Sequence, residues 1–129
     1  MKINLTSIPV QDQEKALSIY TEKLGFVKKE DVPMGEHRWL TVVSPEGADG
    51  VELLLEPLGF EPAKAFYRAL YDAGIPVTSF ESTDLDSEVK RLKELGIAFR
   101  GDPQDMGNVK AAIFDDTCGN LVCLTQRID

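Results

Sequence analysis

Two stretches decide how this 129-residue chain is built: DQEKALSIYTEKLG at residues 12–25 and DLDSEVKRLKELG at residues 84–96. Each opens on an aspartate, whose carboxylate suits the free N–H groups of a first helical turn. Each closes on Leu-Gly, and glycine readily takes the left-handed backbone that ends a helix. Between these ends apolar side chains recur at helical spacing, Ala16, Leu17, Tyr20 and Leu24 in the first and Leu85, Val89, Leu92 and Leu95 in the second. Charged residues fill the intervening positions, among them Glu14, Lys15, Glu22 and Lys23, then Asp86, Glu88, Lys90, Arg91, Lys93 and Glu94, as expected of solvated faces. These are two amphipathic helices of one design.

The flanks repeat as well. Residues 3–10 have the β-branched, alternating character of a strand, and strands are expected at 26–30, 38–43 (RWLTVV) and 51–56 (VELLLE), with Ser44-Pro45-Glu46-Gly47 as a turn. In the second half the expected strands are 75–82, 97–100, 109–114 and 121–126. The pattern is β-α-β-β-β twice, an α+β fold of helices on largely antiparallel sheet, with modules at 1–57 and 75–129. A connector at 58–74 carries a third helix at 62–73, marked by Phe66, Leu70 and the closing Gly74. The length suits one domain spanning 1–129.

Both cysteines sit in FDDTCGNLVCL, residues 114–124. Asp115 to Asn120 is rich in turn formers, and Gly119 is available for a positive φ, so the stretch reads as a hairpin with Cys118 in the turn and Cys123 in the last strand. The C-x4-C spacing is neither a redox C-x-x-C nor half of a zinc site, since no second ligand pair exists elsewhere; buried structural cysteines are the expectation.

Composition excludes several classes. The formal net charge is −8, with both signs interspersed, and such a field repels phosphates, so nucleic-acid binding is not expected. Apolar runs extend only a few residues, whereas a membrane span needs about 20. Residues 1–10 lack the regions of a signal peptide, so a soluble, cytoplasmic protein is expected. No glycine-rich phosphate loop is present.

The paired β-α-β-β-β order, with VQDQEKALSIYTEKLGF, VELLLEP and FDDTCGNLVCL, resembles the vicinal oxygen chelate superfamily of glyoxalase I, bleomycin-resistance proteins and extradiol dioxygenases. The likeness covers essentially the whole chain and is nearest to the small glyoxalase or bleomycin-resistance type. It implies two modules forming a cupped, mostly antiparallel sheet. It also implies a homodimer, since small members commonly complete their cavities by pairing modules between chains. Metal-dependent members hold a divalent cation on the first and last strands of each module. Here those positions fall at Leu5, Glu52, near Thr78, and Cys123, so only Glu52 is retained and no metal or other cofactor is expected. The one histidine, His37, lies away from them, which excludes a site of two histidines and a carboxylate.

Without a metal, the resemblance still implies a cavity for a small organic ligand. The candidate lining is Ser7, Trp39, Glu52, Leu54, Thr78, Phe80 and Cys123, beside Leu5. Glu52 is the titratable candidate, a general base if the protein is an enzyme and otherwise a partner for a ligand cation or for Arg38. Trp39 offers a stacking surface, or serves as a core aromatic. The expected function is small-molecule binding or sequestration; the alternative is a glyoxalase-like lyase or isomerase, metal-dependent if the ligand positions align differently.

Overall fold

The computed structural model describes residues 1–128. The chain divides into two compact units, one from Met1 to Lys64 and the other beginning at Ala65. In the first, β1 (Leu5–Val10) is followed by α1 (Gln13–Ser18), β2 (Val27–Met34), β3 (His37–Val43) and β4 (Glu52–Pro57). Helix α2 (Glu61–Asp72) runs across the division between the units, and none of its side chains is buried. The second unit then repeats the order with β5 (Thr78–Glu81), α3 (Leu85–Glu94), β6 (Gln104–Asp105), β7 (Val109–Asp115) and β8 (Leu121–Arg127).

The sheets share one topology. The first has the order β1-β4-β3-β2 and the second β5-β8-β7-β6. In each the opening strand lies parallel to the closing one, and the remaining pairs are antiparallel. A parallel pair requires a crossover, and the aspartate-capped helix is part of it. One face of each sheet is buried with its helix. Ile8, Val10, Leu40, Val42 and Leu55 share the first core with Ala16, Ile19 and Tyr20, while Ala112, Phe114, Val122 and Leu124 share the second with Leu85, Val89 and Leu92. Among the described residues no helix is long and apolar enough to cross a membrane.

The two helices differ by a single residue. Cap to glycine is 13 steps in the first (25 − 12) and 12 in the second (96 − 84). Both aspartates cap as expected, Asp12 Oδ1 accepting from the Lys15 N–H and Asp84 Oδ1 from the Ser87 N–H. The difference appears at the other end. In α3 the Ile97 N–H bonds to the Leu92 carbonyl and the Gly96 N–H to Lys93, the reverse turn that a left-handed glycine permits. After α1 the chain widens into a π-helical turn at Ile19–Lys23, where the Leu24 N–H reaches back five residues to Ile19. The closing bonds are widened by the same step, Gly25 to Thr21 and Phe26 to Tyr20, yet Gly25 and Gly96 share a φ of 89°. The π turn takes up the extra residue, and both repeats leave their helices on a left-handed glycine, the first through closing bonds one residue wider.

Three strand expectations change, the first being that the strand expected at 26–30 runs on to Met34. Residues 97–100 make only an isolated bridge, Phe99 to Phe114, and the edge resumes as β6 after Gly101, whose φ is +96°, and Pro103, which has no N–H to give. The segment expected at 75–82 contracts to Thr78–Glu81, because Pro76 likewise lacks a donor. The hairpin at 115–120 forms as expected, with Gly119 at φ +101° and Thr117 at +61°.

That hairpin is held by a buried carboxylate. Asp116 Oδ1 accepts from the N–H groups of Cys118 (2.7 Å) and Asn120 (3.0 Å), and Oδ2 from the Asn120 side-chain amide (2.9 Å). Asp116, Cys118 and Asn120 are all buried. Removing the acceptor strands donors that water does not reach, each costing about 1–3 kcal/mol. Asp116→Ala is therefore expected to lower unfolding stability in urea by roughly 2–4 kcal/mol, far more than Asp105→Ala on the exposed edge.

Candidate functional site

The register β1∥β4 sets Leu5 beside Glu52 and Ser7 beside Leu54, while β3 sets Thr41 beside Leu54. Laterally paired residues project to one side of a sheet and alternate residues to opposite sides. Leu5, Ser7, Trp39, Thr41, Glu52 and Leu54 therefore share the face turned away from α1. On the other face α1 ties the strands together through Gln13. Its amide donates to the Arg38 and Leu55 carbonyls and accepts from the Arg38 N–H.

Glu52 has a hydrogen-bond donor and a counter-charge on its face. The Thr41 hydroxyl donates to Oε1 at 2.8 Å, and the Lys29 ammonium lies 3.6 Å from Oε2. Thr41 is itself buried and accepts from the Glu30 N–H at 3.1 Å, so its hydroxyl is used in both directions. Lys29 reaches Glu52 from β2 because the β2–β3 register shifts between Lys28 and Asp31. Such a bulge redirects side chains. Arg38, the alternative partner for Glu52, points to the helix side, where it pairs with Asp31 and Glu14. Those carboxylates raise the affinity of Arg38 for its proton, and Arg38 in turn holds the Asp31 carboxyl below its ordinary range. Trp39 is 36% exposed beside its cross-strand partner Val32 at 48%, so the indole has an open side.

In the second unit Cys123 pairs laterally with Ser79. Thr78 and Phe80 pair with Val122 and Leu124, on the face shared with α3. The register thus places Thr78 and Phe80 opposite to Cys123, and it is Ser79 that meets the thiol. Partial burial pushes the Cys123 thiol up from its ordinary pKa, offset in part by the hydrogen bond with Ser79. Among the described residues neither cysteine is in a disulfide.

A divalent cation of the kind that the resemblance implies finds no matching donors. Leu5 beside Glu52 has no lone pair to offer, Glu52 already faces an ammonium, and among the described residues no three His, Cys, Asp or Glu side chains converge. The donor set does not fit the group.

The sequence profile of the glyoxalase/bleomycin resistance protein/dioxygenase superfamily matches residues 2–124. The chain belongs to that superfamily. It is 54% identical to the uncharacterized protein YurT of Bacillus subtilis (strain 168) over 127 residues, covering 98% of this chain and 100% of that one. The mitochondrial methylmalonyl-CoA epimerase of Mus musculus is 32% identical over 130 residues, covering 97% of this chain and 72% of the mouse protein. Among solved structures, TnmS3, an antibiotic binding protein from Streptomyces sp. CB03234, superposes with a TM-score of 0.76 at 32% identity, covering 98% of this chain and 96% of that one.

Sequence reasoning missed Thr41, Lys29 and Ser79. The alternation in RWLTVV carried a signal for Thr41, which falls two residues from Trp39 and so on its face. Thr41→Val would keep the shape, remove the donor to Glu52 and leave the Glu30 N–H without its acceptor. A loss of about 1–3 kcal/mol in urea unfolding is expected, with Thr41→Ser retaining most of the stability.

Proposed function

We infer that the chain binds a small organic molecule non-covalently on the Trp39 face of its first sheet, and acts by sequestration or as an accessory binding protein without a divalent metal. The observation that carries this reading is the make-up of the face, where an open indole lies beside Val32 with Leu54 and Leu5 further along the same side, Glu52 is matched by Thr41 and Lys29, and Glu56 is exposed on the same side of β4. An apolar surface with few fixed polar groups is what small-molecule sites share. Similarity to an antibiotic binding protein favours the same role.

Catalysis is the second reading, favoured by the similarity to an epimerase. It casts Glu52 as the base of a lyase or isomerase. A base must have an oxygen free to take the substrate proton. Thr41 donates to Oε1 of Glu52, and Oε2, although not hydrogen-bonded, faces the Lys29 ammonium at 3.6 Å, a pairing that suits a charge-matched binding face.

Thermal-shift screening with small aromatic compounds is expected to give hits whose affinity falls about tenfold in Trp39→Leu, in line with loss of stacking and apolar contact. Hits indifferent to Trp39 would move the site elsewhere. Protein purified without chelator is expected to carry far less than one nickel, zinc, cobalt or iron per chain. It is also expected to leave methylmalonyl-CoA and the methylglyoxal–glutathione hemithioacetal unconverted; turnover abolished by Glu52→Gln would establish the enzyme instead.

A homodimer belongs to the same proposal. Strand β2 exposes Val27, Val32 and Met34, each about half accessible or more, along an edge of the sheet where association buries apolar surface. Light scattering at micromolar concentration is expected to give twice the 14.3 kDa chain mass.

A further inference from the structure

The ammonium of Lys29 lies 3.6 Å from Glu52 Oε2, close enough to neutralise the carboxylate and too far to give it a hydrogen bond. Its N–H groups are therefore not committed to Glu52. The side chain is 47% exposed, so the ammonium is reachable from outside. Thr41 has no such freedom, because its hydroxyl already donates to Glu52 and accepts from Glu30. Ser7, the Trp39 indole N–H and Lys29 are thus the donors on this face that a ligand can still engage, and of the three only Lys29 is charged.

We propose that Lys29 binds a carbonyl oxygen of a planar, uncharged aromatic ligand lying against Trp39, so that the chain's own ammonium supplies the positive charge that a metal-bearing relative would supply with a cation. This rests on the reading that the Trp39 face takes a small molecule, and it names the ligand class. Lys29 and Glu52 cancel side by side, Glu56 adds a negative charge further along the same face, and the chain as a whole carries −8. An anionic ligand gains little from a neutralised pair and is opposed by the overall field. A carbonyl accepts a hydrogen bond from the ammonium without bringing a charge near Glu52. The hydrocarbon around it is met by Trp39, Val32 and Leu54. The bulge between Lys28 and Asp31 that brings Lys29 over the sheet is then a binding feature, which accords with the frequent placement of bulges beside sites.

Trp39 is the chain's single tryptophan, so its fluorescence reports binding on this face directly. The probes are 9-fluorenone and fluorene, planar molecules of one skeleton that differ by the carbonyl. The parent protein is expected to bind fluorenone about tenfold more tightly than fluorene, the scale of one hydrogen bond to a charged donor. Lys29→Met should abolish that preference while leaving fluorene affinity unchanged, and Lys29→Arg should restore it. Glu52→Gln should keep the preference, since the donor remains, and 2-fluorenecarboxylate should bind no better than fluorene. Equal affinity of the parent for fluorenone and fluorene, with both dependent on Trp39, would overturn the role of Lys29 and leave the binding face standing. A fluorenone preference that survives Lys29→Met would also overturn it. Failure of both probes to quench Trp39 would overturn the face and the proposal together.

Discussion

The parallel pairing of the opening and closing strands of each module is the constraint on which the remaining structure depends. Two parallel strands meet only if the chain crosses from the end of one to the start of the other, and here the crossover contains a helix and two further strands. The helix must leave through a fixed turn to deliver the chain to the sheet, and a glycine at φ 89° provides that turn in both modules. The same pairing fixes the pleat. Once Leu5 stands beside Glu52, every residue of the first sheet is committed either to the helix or to the opposite face.

That commitment explains why Glu52 is neutralised as it is. A carboxylate on a half-buried strand needs donors or a counter-charge. The nearest arginine in sequence, Arg38, lies on the other face and is taken by Asp31 and Glu14. The hydroxyl of Thr41 and the ammonium of Lys29 meet the need instead, the second only because β2 is bulged. The second module has no equivalent demand. Its thiol at Cys123 meets the hydroxyl of Ser79, and burial holds that thiol in its neutral form. The modules therefore share a backbone plan while their open faces differ in charge chemistry.

How far the sequence reveals this varies with the physics of each feature. The duplication and the hairpin are local matters of caps, glycines and apolar spacing, and Asp12, Asp84, Gly96 and Asp116 display them openly. Glu52, Ser7, Leu54 and Trp39 also come to one face as alternation implies. Thr78 and Phe80 illustrate the limit. A shift of one residue in an expected strand carries a side chain to the opposite face, and the pairing of β5 with β8 puts both beside Val122 and Leu124. The contact of Lys29 with Glu52 was hidden for a different reason, since a bulge depends on how two strands pair and leaves no mark in the pattern of either.

The π turn after α1 joins these observations. An extra residue within an ideal helix rotates everything after it by about 100°, which would swing the start of β2 away from the sheet. Held as a π turn between Ile19 and Lys23, the insertion is absorbed before Gly25, and β2 begins at Val27 in register with Val43. From that anchored start the strand pairs regularly through Lys28, shifts before Asp31, and so carries Lys29 toward Glu52. The first module has thus diverged from the second at two points on one continuous stretch, the helix exit and the strand that follows it. The bulge confers on that face the cationic donor that its parallel pair of strands lacks.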